Sequence, residues 1–178
     1  FSRTIFKIAP ALKRIGILSD THGIFDQPLR KFFEDVDELW HAGDFGSIET
    51  ADAIAAFRPL HGVYGNIDGG QTRVAFRRWE LFECEQVPVM ITHIGGYPGH
   101  YASGVEMQLR MHRPKIFVCG HSHILKVMYD KKNSLLHINP GAAGIAGFHQ
   151  VRTAIRLVID GEDIRELEVG EWPRRPTS

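Results

Sequence analysis

Cysteine is scarce in this chain: among 178 residues only Cys84 and Cys119 occur. That count excludes a disulfide-stapled secreted scaffold. Cys119 lies in the apolar run KIFVCG, where a buried, reduced thiol is expected. A prevailing charge is missing too. Lys plus Arg and Asp plus Glu each number 21, so the formal net charge is zero. A general nucleic-acid or anionic-membrane binder would need a basic surface, so neither partner is expected. The only adjacent arginine pairs, Arg77-Arg78 and Arg174-Arg175, read as solvated surface. No apolar run nears the roughly 20 residues that cross a bilayer. The opening FSRTIFKIAP lacks an initiator Met and the apolar stretch and small-residue cleavage pattern of a signal peptide. A cytoplasmic, reducing compartment is therefore expected. Linkers, repeats and low-complexity tracts are also lacking. Residues 1–178, at 43% hydrophobic, are expected to form one domain around a sizeable core.

What is present alternates strand and helix. RIGILSD reads as a strand, and QPLRKFFEDV as a helix with Leu29, Phe32, Phe33 and Val36 on one face. DELWHAGD is a short strand, SIETADAIAAFR a helix with Ser47 as N-cap, and PLHGVYGN a third strand. This order implies a parallel sheet with right-handed crossovers. RRWELFECEQVPVMITH then reads as two strands joined by a turn near Glu85-Gln86, and SGVEMQLRMHR as a helix stopped by Pro114. KIFVCGHSH is a buried strand, and LKVMYD, SLLHIN, TAIRLVID and DIRELEV are further strands, with turns at KKN and GE. The fold class expected is α/β, with two sheets packed face to face and helices outside.

The strand ends carry the chemistry. In sequence they deliver Asp20 and His22, Asp44, Asn66, His93, then His121 and His123. Sites in open α/β sheets form at the carboxyl ends of strands. In extended chain Asp20 and His22 would share one face, about 6.5 Å apart. Glycines before Asp44, Asn66 and His121 allow tight turns. Carboxylate oxygen, amide oxygen and imidazole nitrogen without thiolate suit Mn, Fe, Zn, Co or Ni rather than a structural zinc cage. Seven donors are too many for one ion with open positions, and suit two ions about 3.5–4 Å apart sharing one carboxylate. Asp44, short and held on a turn, is the expected shared ligand.

SDTHG, HAGD, YGNID, TH and CGHSH, in this order, resemble the motif set of the calcineurin-like metallophosphoesterases, and most of all their small bacterial and archaeal phosphodiesterase branch. The likeness runs from about Arg14 to Gly141 and includes INPGA. It implies a four-layer αββα sandwich, two mixed β-sheets face to face with helices outside, and a dimetal centre. Asp20, His22 and His123 would bind one ion, Asn66, His93 and His121 the other, and Asp44 would bridge. Asp44, His93 and His121 are the residues expected to be catalytic. The implied cofactors are two divalent ions, manganese first, and the partner is a small phosphate ester. A hydroxide bridging the ions would attack phosphorus in line.

Three positions depart from that family's pattern. Ile67 stands where many members carry a His thought to protonate the leaving group. THIGG replaces THGH, with His100 nearby, and NPGAAGIAG lacks the Ser that often follows the glycine. Without a protein acid, diesters or activated esters with good leaving groups are expected. A phosphomonoesterase or nucleotidase on the same centre, and a non-catalytic protein-binding scaffold of the same fold, are the alternatives. Asp68 is open to a substrate-side or a turn-stabilising role. His41 is expected to pack near the site, and His61, His112, His137 and His149 to be structural. Trp40 and Trp79 are expected in or near the core. GGYPG reads as a loop at the substrate entrance, and the oligomeric state is open.

Overall fold

A computed structural model of the chain describes residues 12–175. The opening FSRTIFKIAP lies outside the described residues. The elements are β1 (Leu12–Leu18), α1 (Gln27–Phe32), β2 (Glu38–His41), α2 (Ile48–Phe57), β3 (Leu60–Gly62), α3 (Gly70–Ala75), β4 (Trp79–Cys84), β5 (Val87–Thr92), β6 (Gly96–Tyr97), β7 (His100–Tyr101), α4 (Val105–His112), β8 (Ile116–Val118), β9 (Leu125–Asp130), β10 (Leu135–Pro140), β11 (Val151–Asp160) and β12 (Asp163–Pro173).

Two five-stranded sheets result, in the orders β12-β11-β1-β2-β3 and β4-β5-β8-β10-β9. Both are mixed. β1, β2 and β3 run parallel, and β11 joins β1 antiparallel. β5, β8 and β10 run parallel, with β4 and β9 as antiparallel edges. Side-chain alternation decides the layering. Ile15, Ile17 and Trp40 of the first sheet pack on Val89, Ile91, Ile116 and Ile138 of the second, forming the central core. Leu18 and Leu39 point the other way, onto Leu29 and Phe33 at α1 and Ile54 of α2. On the second sheet, Met90 and Phe117 meet Val105 and Leu109 of α4. The layers are thus helix, sheet, sheet, helix.

Two expectations need correction. The helix expected to run to Val36 ends at Phe32, with Phe33 as C-cap. Its Asp26 N-cap makes no side-chain capping bond, because both carboxylate oxygens are taken by Arg152 of β11 at 2.8 and 2.9 Å. GGYPG is not a plain loop: Gly96 and Tyr97 pair with Tyr101 and His100 in a small hairpin. The short helix α3 was not expected. Ser47 does cap α2, accepting from the Thr50 amide at 3.2 Å. Trp40 is fully buried and Trp79 half-buried.

Candidate metal centre

All seven candidate ligands leave the carboxyl ends of β1, β2, β3, β5 and β8. The loops are knitted by backbone bonds: Asp20 donates to Gly43 at 2.9 Å, His22 to Asp44 at 3.1 Å, and Gly120 to His93 at 2.9 Å. The NPG segment closes the other side, where Ala143 and Gly144 donate to the Ser19 and Asp20 carbonyls. Gly65 and Gly120 are needed for this close approach. A Cβ on Gly65 would strike Asp44, and one on Gly120 would strike the Ser19 hydroxyl.

Asp20 and His22 do not share a strand face as expected. β1 ends at Leu18, and Asp20 and His22 adopt φ 53° and 45°. Asp44, His121 and His123 are left-handed as well, at 58°, 69° and 61°. Side chains converge because the backbone turns back on itself at each of these residues, not because a pleat aligns them.

Each carboxylate anchors one oxygen and presents the other. Asp20 Oδ2 accepts from the Ser19 hydroxyl at 2.7 Å and the His121 amide at 3.1 Å. Its Oδ1 faces His123 Nε2 at 3.2 Å, and His22 and His93 at 3.9 Å. Asp44 Oδ1 accepts from the Ile67 amide at 3.1 Å. Its Oδ2 lies 3.2 Å from His93 Nε2 and 3.7 Å from His22 Nε2. Asn66 Oδ1 sits 2.9 Å from both His93 Nε2 and His121 Nδ1. The contacts fall into two groups, Asp20 with His22 and His123, and Asp20 with Asp44 and His93. Asp44 Oδ2 reaches a histidine of each.

The donor chemistry fits a cation. Asp20 Oδ1 and His22 Nε2 are buried and have no hydrogen-bond partner among the described residues. Burying polar atoms unpaired costs about 1–3 kcal/mol each. His93 Nδ1 lies 2.7 Å from the Ala42 carbonyl and must carry a proton there. Neutral His93 therefore turns a lone pair toward Asp44. His149 Nε2 donates to the Gly144 carbonyl at 2.8 Å, so its Nδ1 accepts from His123 Nδ1 at 3.3 Å. That leaves His123 Nε2 as a lone pair facing Asp20. Lone pairs facing carboxylates are stable only with positive charge between them, from protons or from metal. The titration directions are those of the case in which protons supply that charge. Burial opposes ionisation of Asp20, yet hydrogen bonding to His123 and the charge of His93 hold its carboxyl below the usual value. Asp44 behaves likewise, with His93 as main partner. Burial works against a charged His93, but Asp44 and Asp20 push its pKa up.

The surrounding residues hold this shape. Asp68 is a brace rather than a substrate contact, accepting from the Phe45, Gly46 and Gly65 amides at 2.9–3.1 Å. His41 packs near the site as expected, stacked on Phe45 and bonded to Thr21 at 2.9 Å and to the Gly43 amide at 3.0 Å. Burial drives its pKa down to about 3. His61 pairs with Glu80 and stacks on Phe82. Asn139 binds the Gly120 carbonyl, Ser122 and the Gly141 amide, which fixes the His121–His123 turn. Sequence reasoning missed Ser19, Asn139 and His149; INPGA pointed to Asn139 alone. No sequence signal marked His149, which stands 26 residues from the ring it contacts.

Comparison with known proteins follows from this geometry. Residues 14–162 match the family model described as "Calcineurin-like phosphoesterase superfamily domain". A probable metallophosphoesterase of Methanothermobacter thermautotrophicus is 27% identical, over 84% of this chain and 88% of its own. One from Methanocaldococcus jannaschii is 28% identical, over 78% of this chain and 72% of its own. Among solved structures, a novel archaeal phosphodiesterase superposes with TM-score 0.67 at 24% identity, covering 88% of this chain and 99% of that one. Vacuolar protein sorting 29 of Cryptosporidium parvum gives TM-score 0.71 at 16% identity, covering 91% and 98%. At these identities the structures share the fold.

Proposed function

The chain belongs to the calcineurin-like phosphoesterase superfamily, and from that premise we propose that it is a metal-dependent phosphodiesterase. The observation that carries this reading is the inward face of carboxylate oxygens and imidazole lone pairs, with Asp20 Oδ1 and His22 Nε2 lacking any protein partner among the described residues. Asp20, His22 and His123 would hold one ion and Asn66, His93 and His121 the other, with Asp44 shared. Bound there, two divalent ions, manganese first and Fe, Zn, Co or Ni as the other candidates, would polarise the phosphoryl oxygens and acidify a water.

The chain's own residues set the rest. Ala42 fixes the His93 tautomer, and His149 fixes that of His123. Neither nearby hydroxyl is free to attack, since Ser19 gives its proton to Asp20 and Thr21 is bonded to His41 and Phe45. In this reading the nucleophile is the water that the ions would acidify. Ile67, directly after Asn66, cannot protonate a leaving group, which favours esters that leave unaided. A monoester brings nearly two negative charges, a diester one. The residues directly after Asn66, His93 and His123 are the exposed Ile67, Ile94 and Ile124, and the cations nearby are Arg73 and Arg78, which line the cleft beside Asn66 and His93. The reading also takes the chain as one domain with a small phosphate ester as its partner. Two free, buried thiols fit a reducing cytoplasmic setting. No described helix is long and apolar enough to cross a membrane.

A scaffold reading draws support from the vacuolar sorting neighbours. A retained set of seven donors is what a scaffold would not require. The test is a screen of stripped, re-metallated protein against nitrophenyl mono- and diesters. Faster diester turnover is expected. Faster monoester turnover would make the protein a monoesterase, and no turnover with any of the five metals would favour the scaffold.

A further inference from the structure

Three candidate ligands are each followed by an isoleucine: Asn66-Ile67, His93-Ile94 and His123-Ile124. Those isoleucines are 50%, 46% and 63% exposed. A single exposed aliphatic needs no explanation, but a ring of them around a polar centre does. Ile94 and Ile124 continue into a cleft of about 300 Å³ whose walls also include Tyr97 and, at the metal-centre end, His121. The cleft is thus continuous with the site.

Two of its polar side chains are already engaged. The Ser122 hydroxyl receives the Ile124 amide and the Asn139 side chain, and the Asn139 amide is shared between Gly120, Ser122 and Gly141. The basic groups lie against Tyr97: Lys126 Nζ is 4.1 Å from its ring centroid, and the His100 ring is 4.9 Å away. Lys126 has no carboxylate partner among the described residues, so it is used on the ring rather than in an ion pair. The β6–β7 hairpin pairs Tyr97 with His100, so the aromatic wall is held in place before any ligand arrives.

We propose that this cleft binds an apolar, ring-sized substituent of the substrate, so that the preferred phosphodiesters carry an aryl or similar hydrophobic arm beside the scissile phosphate. Tyr97, Ile94 and Ile124 are the specificity-determining residues. The inference rests on the phosphodiesterase reading for the position of the phosphate, and on the cleft alone for the chemistry of the arm. A sugar or other polyhydroxylated arm would lie against Ile94, Ile124 and the Tyr97 ring, and the hydroxyls facing those walls would lose their water without replacement.

The test is calorimetric binding of phenylphosphonate and methylphosphonate to the manganese-loaded protein. Neither compound has an ester bond to hydrolyse. Phenylphosphonate should bind about tenfold more tightly, the advantage expected from burying one face of a ring. In Tyr97→Ser/Ile124→Ser the advantage should fall below about threefold. Should that pair unfold, Ile94→Ser serves alone, and the wild-type comparison already decides. Equal affinities, no measurable phenylphosphonate binding, or an advantage unchanged in the variants would overturn the proposal. Diester turnover is read on the same samples. Phenyl preference without turnover would defeat the phosphodiesterase reading and support the cleft, whereas turnover without preference would defeat the cleft alone.

Discussion

Left-handed backbone at Asp20, His22, Asp44, His121 and His123 concentrates strain where the ligand set converges. Such residues cost on the order of 1–3 kcal/mol each and persist where the surroundings impose them. Here the loop-to-loop amide bonds and the Asp68 brace do so. Orientation of the rings is the second requirement. His149 holds His123 through Nδ1 while anchored at Nε2, so His149→Ala should weaken manganese binding by about tenfold. Calorimetric titration of the stripped variant checks this, with the thermal midpoint as control, and an unchanged affinity would show His149 to be passive. A third residue matters by what it lacks. Ile67→His should raise turnover of alkyl diesters more than that of nitrophenyl diesters, because only the poorer leaving groups need a proton. The slope of log rate against leaving-group pKa reads this out. A slope already flat in the unmodified protein, with chemistry rate-limiting, would mean that another group donates; His100 would be the first to replace.

Helix α2 shows how an element is fixed by one side chain. Ser47 takes the Thr50 amide, and the apolar Ala51 and Ile54 then face the first sheet. Ser47→Ala should cost about 1 kcal/mol in urea unfolding, without changing metal stoichiometry. A cost below about 0.3 kcal/mol would mean the cap is replaced by solvent. Elements of this kind were legible in the sequence because period and end signals agree, as they do for the β4–β5 hairpin turning at Glu85-Gln86. Helix α3 was not, since GQTRVA has no apolar stripe and buries only Thr72. The β6–β7 hairpin, with two-residue strands, has no pattern to read. α1 fell short at its far end, where Glu34 and Val36 close onto Lys31 and Phe33 as tight turns and their carbonyls are taken by Arg58. The seven donors were legible as strand-end motifs. Their supports were not, because Ser19, Asn139 and His149 act through contacts that only the finished loops create.

The whole molecule ties its stability to neutral buried imidazoles. Burial lowers the pKa of His41 to about 3 and of His137 to about 4, against an ordinary value of 6.5. Below pH 6.5 the unfolded chain takes up protons that the folded chain refuses, so stability falls as the pH drops toward those folded values. Each group contributes at most about 1.4 kcal/mol per pH unit. His93 is shifted upward against the pull of burial by Asp44 and Asp20, so its contribution has the opposite sign: it is fully present below pH 6.5 and fades as the pH rises above that value, which offsets part of the trend near pH 7. Metal-free protein should therefore be less stable to urea at pH 5 than at pH 7, and His137→Gln should reduce the difference. Equal stability at both values would mean these rings are charged or hydrated in the fold.

The central claim is that the inward donors exist to hold divalent ions that turn over a phosphodiester. Its most direct measurement is hydrolysis of bis(4-nitrophenyl) phosphate by one preparation before and after metal removal and reloading, with bound metal counted at each stage. The account predicts no activity in verified metal-free protein, and recovery with manganese as occupancy approaches two ions per chain. Activity that survives complete metal removal would contradict it.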